Sequence, residues 1–310
     1  MKRITQLIKS GKLLVGDGAW GTMLQNSGLS TGECPESWNL LHRDKVLAIA
    51  RAYVEAGANL IETNSFGGSP FKLANYQMED KASQLNSLAA EISREAAGQQ
   101  ALVLGSIGPT GKFLLTGEVT REELIDGFRK QMLALRDGGV DAICLETFYD
   151  LDEAHCAVTA ARENTDLEII CTFTFTKQPD NTFKTMMGVD PSTVVDALLN
   201  WGVDIIGTNC GNGFADMVSI VTEMHEANLD IPLIVQANAG LPQMSGDKLI
   251  YPETPDIVAR IIPDLVKAGA SIIGGCCGTT PEHIREIRGV LADQFADKLY
   301  TFLNIQGKKK

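Results

Sequence analysis

Short apolar runs alternate with amphipathic stretches along almost the whole chain. Runs of β character lie at 12–16, 58–62, 102–106, 142–146, 168–175, 203–208, 232–237 and 270–274. Between them, stretches near 43–56, 79–97, 120–137, 151–163, 191–201, 214–228, 256–268 and 281–294 carry apolar residues at helical spacing. Thr120-Arg121-Glu122-Glu123 is a capping box that satisfies first-turn N–H groups. Ala56-Gly57-Ala58, Asp137-Gly138-Gly139 and Ala268-Gly269-Ala270 read as helix stops leading into strands. Eight β–α pairs in series predict a single (β/α)8 barrel, the TIM-barrel architecture, as one domain over residues 1–310. The alternative, an open doubly wound sheet, has no preference for eight. The long segments near 17–42, 63–78 and 106–119 follow strands, which in a barrel places them on the catalytic face.

Composition narrows the class. Hydrophobic residues make up 44% and charged residues 21%, as in a soluble globule. No apolar run reaches the ~18 residues of a membrane helix. The start, Met1-Lys2-Arg3-Ile4-Thr5-Gln6, lacks the apolar core of a signal peptide. A net charge of −12 argues against a nucleic-acid partner, and Lys308-Lys309-Lys310 reads as a solvated tail. Seven cysteines without framework spacing point to a reducing, cytoplasmic setting.

In a barrel, several polar residues at strand ends converge on one mouth although the chain scatters them. They are Asp17, Glu62 and Asn64, Glu146, Cys210, Asn238, and the pair Cys276-Cys277. Plainer readings exist: Asp17 as a turn brace, Glu62 as a structural carboxylate, Glu146 as a helix cap and Asn238 as a turn residue. The pair stands in Ser271-Ile272-Ile273-Gly274-Gly275-Cys276-Cys277-Gly278-Thr279-Thr280-Pro281. Adjacent strand side chains point to opposite faces, so both sulfurs share a target only if the backbone bends, which the flanking glycines permit. Three fates compete: a metal site, buried structural cysteine, and a strained vicinal disulfide. A metal needs a further ligand, and Cys210 in Thr208-Asn209-Cys210-Gly211 is the candidate. Cys34, Cys144, Cys156 and Cys171 read as structural, and His42, His155, His225 and His283 fall in helical stretches and are not expected to be ligands.

Three thiolates suit Zn2+ with an open fourth position, which favours holding and activating a small thiol over making hydroxide. Asp17 and Glu146 suit an ammonium group, and the amide N–H groups of Gly18 and Ala19 suit a carboxylate. A thiol carrying both is an amino-acid thiol.

Asp-Gly-Ala-Trp-Gly-Thr at 17–22, Glu-Thr-Asn-Ser-Phe at 62–66, Gly-Ser-Ile-Gly-Pro at 105–109, Glu-Thr-Phe-Tyr-Asp at 146–150, Thr-Asn-Cys-Gly at 208–211, Asn-Ala-Gly-Leu-Pro at 238–242 and Gly-Gly-Cys-Cys-Gly-Thr-Thr-Pro at 274–281 together resemble the homocysteine S-methyltransferase family. They look most like the homocysteine-binding module of cobalamin-dependent methionine synthase, over roughly residues 10–295. The resemblance implies a (β/α)8 barrel and Zn2+ on the catalytic cysteines Cys210, Cys276 and Cys277. It also implies homocysteine thiolate as nucleophile and its ammonium on Asp17 and Glu146. Asn238 would occupy or flank the open metal position before substrate binds.

The chain ends about 15 residues after its last expected helix, so the expectation is a methyl group delivered in trans, by methylcobalamin on a separate corrinoid protein. Gly67, and Cys34 nearby, stand where a betaine-using branch carries aromatic residues. Two other readings remain. One is methylation from S-methylmethionine or S-adenosylmethionine, or of another small thiol, with Phe66, Phe148 and Tyr149 deciding the fit. The other is a non-catalytic zinc- and thiol-binding subunit.

Overall fold

The computed structural model describes residues 3–246 and 248–302. The basic tail at 308–310 lies outside them. Eight parallel strands form the barrel: β1 (Leu14–Val15), β2 (Leu60–Glu62), β3 (Leu102–Ile107), β4 (Ala142–Phe148), β5 (Glu168–Phe173), β6 (Ile205–Gly213), β7 (Leu233–Asn238) and β8 (Ala270–Gly275). Neighbouring strands pair in parallel from β2 through to β8, and β8 pairs with β1. The β1–β2 seam is drawn together by side chains as well as backbone. Asn59 N–H donates to the Val15 carbonyl (2.7 Å) and its Oδ1 accepts from Val15 N–H (3.0 Å). Asp17 Oδ2 accepts from Glu62 N–H at 2.8 Å.

Period-2 alternation sorts the strand residues. Val15, Ile61, Val103, Ile143, Ile169, Ile206, Val235 and Ile273 join the large core between strands and helices. Leu14, Leu60, Leu104, Cys144, Ile170, Ile205, Ile234 and Ile272 fill the barrel interior. The lower end is plugged by the helix Arg3–Lys9, whose first N–H groups are capped by the buried Glu168 carboxylate (Ile4 N 2.8 Å, Thr5 N 2.7 Å).

The expected punctuation is present. Thr120 and Glu123 form the capping box of helix Arg121–Asp137, and Gly57 and Gly269 end their helices in the left-handed conformation. Two features differ from the sequence reading. β6 continues through Cys210 to Gly213 by way of an irregularity after Asn209. The loops after β5 and β7 carry small ribbons, Thr176–Lys177 with Phe183–Lys184 and Gln243–Ser245 with Lys248–Ile250. Their strands are too short for alternation to announce them.

Candidate active site and metal centre

The interior alternation that places leucines low in the barrel places polar groups two residues higher. Glu62 follows Leu60, Ser106 follows Leu104, Glu146 follows Cys144, Thr172 follows Ile170 and Gln236 follows Ile234. Glu62, Ser106, Glu146 and Gln236 of this layer line a cavity of about 360 Å³ at the C-terminal ends of the strands. The β1 loop (Gly18 to Thr22), Glu36, Phe66, Thr147 and the three cysteines complete its walls.

Three sulfurs stand together in its wall. Cys210, Cys276 and Cys277, half-buried and unpaired by disulfides, have sulfur atoms all within 4.8 Å of one another. Three backbone devices bring them together. β8 ends at Gly275 and the chain turns, with Cys276 N–H donating to the Ala237 carbonyl (2.6 Å) and Thr279 N–H to the Cys276 carbonyl (3.1 Å). Gly278 takes φ 80°, and a Cβ there would overlap the Tyr251 ring. Cys210 itself adopts φ 58°, unusual for a residue with a side chain. The Cys210 thiol is held well below the usual value, because Cys276 and Cys277 donate to its sulfur, helped by Gly211 N–H and the Asn238 amide. Cys276 and Cys277 are correspondingly raised, chiefly by that same hydrogen bonding. The Asn238 Oδ1, buried beside this cluster, has no hydrogen-bond partner.

Carboxyl groups gather at the same mouth. Asp17, Glu62 and Glu146 are almost completely buried, and among the described residues none is ion-paired. Asp17 Oδ2 accepts from Trp20 Nε1 (2.8 Å), Glu62 Oε1 from Gln236 Nε2 (2.7 Å), and Glu146 Oε1 from Ser106 Oγ. Burial raises all three carboxyls; repulsion from Glu62 adds to the rise at Asp17 and Glu146. Glu146 is raised well above the usual range, by burial first and then by repulsion from Glu62. Such a cluster lacks a cation, and an ammonium group would supply it.

Of the residues singled out in the sequence, Gly18, Ala19, Glu62, Asn64, Phe66, Glu146, Cys210, Cys276 and Cys277 line this cavity, Asp17 and Asn238 are hydrogen-bonded to residues that do, and Phe148 and Tyr149 lie elsewhere. Ala19 N–H already donates to Thr279 Oγ1 (3.1 Å), whereas Gly18 N–H has no partner among the described residues. Glu146 does not cap the next helix; Asp150 does, accepting from Asp152 N–H. Phe148 is fully buried among Phe128 and Phe173 in the outer core and does not touch the cavity, because the irregularity in β4 turns it outward. Tyr149 lines a neighbouring hollow with Thr174 and Lys184. Glu62 proves central rather than peripheral, and Ser106, Gln236 and Trp20 were not singled out by the sequence. Phase with the inward-facing leucines was the signal for the first three. The remaining cysteines are buried, and His283 is occupied capping its own helix through Thr280 N–H.

Three thiols and three carboxyls without an ion partner among the described residues thus gather at the mouth of one (β/α)8 barrel. Residues 14–291 match the profile of the homocysteine S-methyltransferase family, and the chain belongs to that family. Methionine synthases of Mycobacterium leprae (strain TN) and Mycobacterium tuberculosis (strain ATCC 25618 / H37Rv) are each 34% identical to it, over 295 and 304 residues, covering 91% and 92% of this chain. The chain spans about a quarter of the length of these curated relatives (24% and 25%). The fold also matches the metallated form of the homocysteine methyltransferase MmuM from Escherichia coli. That match has a TM-score of 0.75 and 24% identity, covering 92% of this chain and 98% of that one. No helix among the described residues is long and apolar enough to cross a membrane.

Proposed function

We propose that this chain methylates the sulfur of homocysteine to give methionine, with Zn2+ on Cys210, Cys276 and Cys277. The observation that carries the reading is that three clustered sulfurs and the buried carboxyls of Glu62 and Glu146 line one cavity. The donor set fits the metal. Tetrahedral thiolates ~2.3 Å from zinc lie about 3.8 Å apart, and Cys210 Sγ and Cys277 Sγ are 3.9 Å apart. The unpartnered Asn238 Oδ1 beside them is available to the fourth position. Held by Cys210, Cys276 and Cys277, Zn2+ would keep an incoming thiol ionised at neutral pH.

The chain's own residues do the rest. Glu146, Glu62 and Asp17 receive the homocysteine ammonium, whose charge favours their ionised forms. Gly18 N–H and the start of helix Trp20–Asn26 face the substrate carboxylate. With both ends held, the sulfur points out of the barrel toward an incoming methyl group, and proximity supplies much of the rate. The sulfur takes the methyl carbon in line as the donor's bond breaks, the bonding electrons staying with the donor, and the thioether sulfur of the product carries no charge to keep it beside the cysteines.

The methyl donor is proposed to be methylcobalamin on a separate corrinoid protein. The motif resemblance to cobalamin-dependent methionine synthase supports this. So does the rim of the mouth, where Phe66, Leu115, Met186, Met187, Leu241 and Met244 are exposed on strand-to-helix loops, as a docked protein would require. The test is a panel of methylcobalamin, S-methylmethionine, S-adenosylmethionine and betaine with homocysteine on zinc-loaded protein. Methionine from methylcobalamin alone is expected. Methionine from a sulfonium donor would overturn the corrinoid reading. Bound homocysteine with no product from any donor would make the chain a non-catalytic binding subunit.

A further inference from the structure

Apart from Cys210, the mouth holds one other residue with a side chain in the left-handed conformation: Thr147, at φ 63°. A β-branched residue there is strained and persists only where its surroundings hold it. Thr147 follows Glu146 on β4, and Asn209 precedes Cys210 on β6. The Asn209 carboxamide joins the two places. It is fully buried. Its Oδ1 accepts from Thr147 N–H (2.8 Å) and Thr172 Oγ1 (2.7 Å). Its Nδ2 donates to Thr147 Oγ1 (2.7 Å) and reaches Glu146 Oε2 at 3.4 Å. Every donor and acceptor position of the group is used.

We propose that Asn209 is a positioning residue that fixes the span between the Glu146 carboxyl and the Cys210 sulfur, and so selects homocysteine over cysteine, which is one methylene shorter. This rests on the function proposed above. A peptide bond fixes Asn209 to Cys210, and four contacts fix its side chain to the Glu146 strand end and to Thr172, so the ammonium site and the sulfur site cannot move apart or together independently. A ligand one methylene too short then reaches one site only.

The experiment is calorimetric titration of L-homocysteine and L-cysteine into zinc-loaded wild type, Asn209→Ala and Thr147→Gly, with zinc content measured on each. Wild type is expected to prefer homocysteine by tenfold or more, within the ~10–200-fold that one methylene is worth in a fitted pocket. Asn209→Ala is expected to lose most of that ratio while keeping its metal. Thr147→Gly relaxes the strained backbone without removing the carboxamide, and should also lower the ratio; it decides the matter if Asn209→Ala does not fold. A ratio unchanged in a folded variant, with both ligands weakened equally or only the melting temperature lowered, would overturn the role of Asn209 and leave the proposed function standing. A wild type that binds neither thiol would overturn both.

Discussion

The sulfur atoms of Cys210 and Cys277 lie 3.9 Å apart although 67 residues separate them in the chain. That spacing is close to the edge of a tetrahedral zinc–thiolate site, about 3.8 Å. Replacing Cys210 with alanine should therefore remove both bound zinc and methionine formation, with the barrel intact. Elemental analysis and circular dichroism on the same sample check it. A folded Cys210→Ala protein that keeps zinc and full activity would contradict the assignment of the ligands.

The carboxyl cluster sets the affinity for the amino group. Glu146→Gln removes one buried charge partner, a change worth about 2–5 kcal/mol when the partner ammonium is desolvated. KM for homocysteine should rise by about 30-fold or more, while zinc content stays unchanged. Initial-rate kinetics with saturating donor separate this from a loss of kcat alone.

The same carboxyls give the free protein a pH dependence of known sign. Burial raises Glu62 and Glu146 above the ordinary 4.5 and Asp17 above 3.8. A raised carboxyl binds its proton more tightly in the folded state, so it favours folding when protonated. That contribution is full below the ordinary values and is lost as pH rises through the raised ones. Thermal unfolding of the ligand-free protein should show stability falling across this window, with a shallower slope in Glu146→Gln. Ammonium binding should release protons, which is measured with L-methionine, a ligand with no thiol to ionise, in buffers of different ionisation enthalpy.

Far from the mouth, Glu168 closes the bottom of the barrel by accepting from Ile4 and Thr5 N–H. Glu168→Ala should cost about 2 kcal/mol, since it strands buried donors. Denaturant unfolding reports the loss, and zinc content and KM should not change. A fall in metal affinity would show that the two ends of the barrel are coupled.

Gly278→Ala tests the turn that aims the cysteine pair. Its φ is 80°, and an added Cβ would sit 2.1 Å from the Tyr251 ring. The variant should retain the fold and lose zinc affinity; an unchanged dissociation constant for zinc would show that the turn tolerates the side chain.

The strands were legible because the barrel buries them on both faces, so every one of the eight is an apolar run bounded by glycines or helix stops. The cysteines were legible because Gly-Gly-Cys-Cys-Gly has no ordinary structural use. Glu62 and Gln236 were harder to read. Each looks like a rim residue until the phase of Leu60 and Ile234 is known to face inward. Phe148 was misplaced for the converse reason: β4 shifts register between Leu145 and Phe148, and simple alternation fails there. Asn209 carries no local sign of its role, since its partners Thr147 and Thr172 belong to other strands.

The most direct test of the central claim is X-ray absorption at the zinc edge, on the purified zinc-loaded protein with and without homocysteine. Three sulfurs and one lighter atom around zinc, becoming four sulfurs when homocysteine is added, is the predicted result. A sulfur count that stays the same while calorimetry shows homocysteine bound would contradict it, and would place the substrate thiol away from the cysteine cluster.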